Sequence, residues 1–144
     1  MDKKKLLLVL GLISIFTLTI FILNQGISTA QECRIVRLWG QAFPEPSIEI
    51  EPKTLVVSKG ACVIWSNWVR AEEVSVVFTE GKKCLDMTEA PTGFKMDLST
   101  QCYVANFIKL GQTSSLRFPQ DGTFKYEVIA GKNLKAAGEI IVQN

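Results

Sequence analysis

The side chains best equipped for chemistry are four cysteines, Cys33, Cys62, Cys84 and Cys102, with Met87 and Met96 near the third of them. Thiolates and thioethers are soft donors, so Cys84, Met87 and Met96 form one candidate site for copper. The same cysteines have a plainer use. No Cys-x-x-Cys pair occurs, the four are spread along the chain, and an even number of thiols in an oxidising compartment reads as two disulfides. Three pairings exist. Cys84 and Cys102 flank an irregular stretch holding Pro91 and Gly93, and a bridge there would close a loop with little core of its own. The expected set is therefore Cys84–Cys102 with Cys33–Cys62, and no metal site is assigned. Glu72 and Glu73 are adjacent carboxylates, but neighbours on a strand point to opposite faces and do not converge on a cation. The chain has no histidine, which removes imidazole as base, proton shuttle or ligand. Its hydroxyls lack an evident activating base, with no Ser-x-x-Lys run, so no enzyme is expected.

The elements that must position these residues have period two. Ile48 and Ile50, Leu55 and Val57, Val63 and Trp65, Val74, Val76 and Phe78, Leu116 and Phe118, Phe124, Tyr126 and Val128, and Ile140 and Val142 alternate with polar residues. Turn chemistry falls between them at Pro52-Lys53, Lys59-Gly60, Glu80-Gly81, Leu110-Gly111, Pro119 to Gly122 and Ala130-Gly131. The pattern predicts an all-β fold, an antiparallel sandwich over residues 47–144 with an irregular insert at 81–101. Residues 31–46 read as a leading strand and a stiff connector with Pro44 and Pro46, holding Cys33 to Gly40 somewhat apart from the main sheets. Trp65 is in phase with Val63 and reads as core. Trp39, beside Gly40, and Trp68, past the expected strand end, are candidate aromatic anchors for a protein partner.

Residues 1–30 read as an address. Lys3 to Lys5 precede Leu6 to Leu23, an uncharged stretch, and Ser28-Thr29-Ala30 suits a peptidase cut before Gln31. Cleavage is the favoured reading; the other is a retained anchor helix, since 18 residues at roughly 1.5 Å each span most of a hydrocarbon core. Either way the body is expected to be exported: periplasmic, extracellular, or held at the outer face of the cytoplasmic membrane. The 144-residue chain is 47% hydrophobic and 21% charged, which suits one domain. Its formal charge of +2 belongs to the leading segment, because the rest balances basic against acidic residues. A neutral body with no basic cluster longer than Lys82-Lys83 gives no footprint for nucleic acid. The membrane is expected as a partner only through an uncleaved leading segment.

The order of motifs is more specific. The run Ile48-Glu49-Ile50-Glu51-Pro52-Lys53-Thr54-Leu55-Val56-Val57-Ser58-Lys59-Gly60, followed by Val63-Ile64-Trp65-Ser66-Asn67, resembles the opening of a cupredoxin domain. Leu110-Gly111-Gln112-Thr113, Leu116-Arg117-Phe118, Asp121-Gly122-Thr123-Phe124-Lys125-Tyr126 and Gly138-Glu139-Ile140-Ile141-Val142 are similar to that family's second half. The resemblance covers roughly residues 47 to 143 and implies a Greek-key sandwich. It also implies a copper held by two His, a Cys and a weak axial Met. The corresponding places hold Glu72, Glu73 and Val74, then Val128, Gly131, and Ala136 with Ala137, so every liganding position is vacated. The resulting expectation is an exported, non-catalytic cupredoxin-like domain without cofactor, acting as a structural or protein-interaction module. The alternative is an electron-transfer or copper-handling protein using Cys84, Met87 and Met96.

Overall fold

The computed structural model describes residues 33–41, 44–70, 73–79, 84 and 89–143. The leading segment 1–30, Glu72 and Met87 lie outside the described residues, and no helix among those described is long and apolar enough to cross a membrane. Eleven strands form among them: β1 (Cys33–Gln41), β2 (Ser47–Glu51), β3 (Thr54–Ser58), β4 (Cys62–Arg70), β5 (Val74–Phe78), β6 (Glu89–Thr92), β7 (Lys95–Asp97), β8 (Cys102–Ile108), β9 (Thr113–Arg117), β10 (Gly122–Ala130) and β11 (Leu134–Gln143). They build a five-stranded sheet in the order β2-β1-β4-β9-β6 and a six-stranded sheet in the order β3-β11-β10-β5-β8-β7. Alternation decides which residues face inward. On β4, Val63, Trp65, Asn67 and Val69 are buried, while Trp68 and Arg70 are exposed.

Three expectations need correction. The sheets are mixed rather than antiparallel, because β1 runs parallel to β4 and β3 runs parallel to β11. The chain pairs β1 with β2, crosses to the other sheet as β3, and returns as β4 on the far side of β1. Period two reports a buried face and is blind to the direction of the neighbouring strand. Second, the leading strand does not stand apart. β1 lies between β2 and β4, and its Val36 and Leu38 are fully buried in the common core. Third, the segment expected as an irregular insert contains β6 and β7, paired with β9 and β8. Pro91 is compatible with β6 because that strand is a sheet edge and its pairing with β9 is irregular between Glu89 and Thr92.

Trp65 is the centre of the core. Its ring lies 5.3 to 6.4 Å from those of Phe94, Tyr126, Phe78 and Phe118, with Phe78 and Tyr126 edge-on. Gly138 stands opposite Tyr126 across the β10–β11 ladder, and a Cβ there would come 2.5 Å from the Tyr126 ring. The glycine is thus the space in which the phenol lies.

Candidate functional site

Strand β4 continues past Asn67, where the sequence suggested an end, because Asn67 is satisfied while fully buried. Its Nδ2 donates to the Ile108 carbonyl at 2.7 Å and its Oδ1 accepts from the Val69 N–H at 2.9 Å. Its backbone N–H donates to the Gln112 carbonyl, and its carbonyl accepts from the Gly111 N–H. Gly111 takes a positive φ of 79°, which lets the β8–β9 turn close against β4. This clip extends β4 far enough to place Trp68 and Arg70 on the outer face of the five-stranded sheet.

The register of the parallel pair then sets the site. Trp39 of β1 stands directly opposite Trp68 of β4, and both are out of phase with the buried residues of their strands. The indoles stack at 6.1 Å between centroids and 26° between planes, while 42% of Trp39 and 46% of Trp68 remain exposed. Both rings thus keep part of their surface open to solvent. Trp39 Nε1 donates to Glu51 Oε2 at 3.2 Å, which orients its ring. On β2, Glu51, Glu49 and Ser47 face Arg37, Trp39 and Gln41. Trp39, Gln41, Ser47, Glu49, Trp68, Arg70 and Leu110 line a groove of 550 Å³. The sequence singled out both tryptophans but missed their pairing and missed Glu49, Glu51, Arg70 and Leu110. Parity could have placed Trp68 outward, since it lies three residues from buried Trp65.

Of the positions at which the resemblance placed copper ligands, Glu72 lies outside the described residues and Glu73 is an exposed carboxylate. Val74 pairs with Ala130, Val76 with Val128, and Val128 with Ala136; Val74, Val76, Val128 and Ala130 are buried and aliphatic. Gly131 occupies the β10–β11 turn. A type 1 set of two imidazoles and a thiolate does not fit these residues. Cys84 is bonded to Cys102, so its sulfur is no thiolate, and Met96 sits on edge strand β7 with Met87 outside the described residues. Cys33 is bonded to Cys62, its register partner. Among the described residues, no three His, Cys, Asp or Glu side chains gather where they could hold a metal ion.

Among the described residues, Tyr126 and Asp97 titrate away from their ordinary values. Burial pushes the Tyr126 phenol up to about 12, with the adjacent Trp65 indole offsetting part of the shift. Asp97 is held below the usual carboxylate range by hydrogen bonds from the side chain and backbone of Ser99 and from Thr100. Neither group lines the groove. A hollow of 380 Å³ on the six-stranded sheet is lined by Lys53, Lys125 and Glu127, among others, and its carboxylates are engaged: Glu127 with Lys135 at 3.6 Å and Glu139 with the Thr54 hydroxyl at 2.9 Å.

No protein-family profile matches the chain, and no curated protein sequence matches it. Among solved structures the chain is similar to amicyanin. A proline-to-glycine variant in its reduced Cu(I) form at pH 4 matches at 20% identity, covering 81% of this chain and 87% of that one, with a TM-score of 0.49. An oxidised methionine-to-leucine variant matches at 21% identity over 76% and 81% of the two chains, with a TM-score of 0.47.

Proposed function

We propose that this chain is an exported, non-catalytic domain of cupredoxin-like type, without a type 1 copper centre, that serves as a protein-interaction module in a periplasmic or membrane-associated assembly. Its contact surface is the outer face of the five-stranded sheet around Trp39 and Trp68. The order of cupredoxin-like motifs and the two-sheet architecture support the fold assignment, and the aliphatic residues at the ligand positions support the absence of copper. The observation that carries the function is the stacked pair of half-exposed tryptophans at matched register. Large aromatic side chains held rigidly at a surface are the type of group that dominates binding energy.

The test is cross-linking in intact cells of the source organism, with the full-length chain carrying an affinity tag. A discrete cross-linked protein is expected, and it disappears in the Trp39→Ala/Trp68→Ala double variant while the thermal midpoint is kept. Capture that is indifferent to both substitutions in folded protein refutes the contact surface.

A further inference from the structure

We infer that what this groove receives is an extended, proline-rich segment of the partner in the polyproline II conformation. This rests on the reading of the Trp39–Trp68 surface as the protein contact and names the partner's chemistry.

The extent of the apolar surface is the first argument. The two indoles are bordered across the ladder by Glu49, with Arg37, Glu51, Gln41, Ser47 and Arg70 around them, all exposed. A folded partner covers roughly 800 Å² on each side, with a continuous apolar centre. Two rings with Leu110 beside them, inside an otherwise polar border, provide much less, and a 550 Å³ groove is on the scale of a short chain segment.

Chemical complementarity selects the segment. An indole face carries the negative part of its quadrupole, and the C–H bonds of a pyrrolidine ring present a flat apolar face that stacks on it. A polyproline II chain repeats every three residues, offers its carbonyls as acceptors and, at proline, has no N–H to satisfy. The receiving surface must therefore supply donors. The Gln41 amide and the Arg70 guanidinium both line the groove and are donors. Glu49 and Arg70 cancel in formal charge, which suits an uncharged ligand. Both partners are also ordered in advance: Trp39 is fixed by Glu51 and by Trp68, and a proline-rich chain loses little entropy on docking.

The experiment titrates the full-length chain with decaproline, with an alanine-glutamine peptide of equal length, and with a linear β-glucan oligosaccharide. Tryptophan fluorescence and calorimetry report binding. Saturable binding of decaproline alone is expected, weakened about tenfold or more in Trp68→Ala and in Arg70→Ala. Trp68→Phe keeps a ring face and retains most of the affinity. Phe107→Ala, an exposed residue of the other sheet, leaves it unchanged. The inference is overturned if folded wild-type protein fails to bind decaproline, if Trp68→Ala binds it as tightly as wild type, or if the oligosaccharide binds in its place. A cross-linked partner that needs both tryptophans, without decaproline binding, overturns the proline assignment and leaves the contact surface standing.

Discussion

Tyr126 shows what one side chain contributes to this core and what it costs. Its hydroxyl and the Trp65 indole nitrogen are both buried, and neither makes a hydrogen bond of good geometry among the described residues, although the nearby indole N–H eases the phenolate slightly. Burial disfavours the phenolate, so the folded protein holds the proton until about pH 12, while the unfolded chain releases it near 10.0. Between those values the unfolded state binds fewer protons, and stability falls as pH rises. The Tyr126 contribution is complete below pH 10.0, and about 2 to 3 kcal/mol is lost by pH 12. Urea unfolding from neutral pH to pH 12 should show this decline in wild type and less of it in Tyr126→Phe; parallel curves would contradict the assignment. At this scale the sequence was partly legible. Trp65 could be read as core from its phase with Val63, whereas the burial of Asn67 could not, because its two side-chain partners are supplied by a carbonyl from β8 and by a strand that continues past it. Phe107 was equally hidden. It is 66% exposed at a φ of 60°, a conformation rare for a bulky residue, and no local sequence signal marks it.

At the scale of elements, the central object is the parallel pair of β1 and β4. Cys33 and Cys62 begin the two strands as register partners, and Trp39 and Trp68 face each other farther along the same ladder. The disulfide and the aromatic pair therefore belong to one unit. Closing a loop with a sequence separation of 29 restricts the unfolded chain by about 3 to 4 kcal/mol in the loop-entropy account. A Cys33→Ala/Cys62→Ala variant is expected to lose about that much stability in urea unfolding. A loss well under 1 kcal/mol would mean that ladder bonds and core packing by themselves hold β1 in register. The strands themselves were readable from alternation, and the parallel neighbours were not. Direction depends on which distant segment pairs with β1, and that choice is made by burying Val36 and Leu38 against the other sheet. The short strands β6 and β7 escaped for a related reason. Pro91 and Gly93 break the local pattern, and only pairing with β9 and β8 makes those segments strands.

The described body is a two-sheet sandwich in which Val74, Val76, Val128 and Ala130 are buried and aliphatic. All four cysteines are in disulfides, so no thiolate is available to produce the intense visible band of a type 1 site. Adding Cu(II) to the non-reduced full-length chain is expected to leave the visible spectrum without that band and to leave the thermal midpoint unchanged. A strong band, or copper retained through desalting, would refute the reading of the protein as a copper-free module.

The sequence by itself determined the strand-forming segments, the core phase of Trp65 and the absence of histidine, because these follow from residue type and period. Only the tertiary structure decided that β1 is an interior strand, that both sheets are mixed, and that Trp39 meets Trp68 over a groove edged by Arg70 and Glu49. Those facts depend on pairing between segments far apart in the chain. Pairing is selected by burial of both faces together, a quantity that no local stretch of sequence contains.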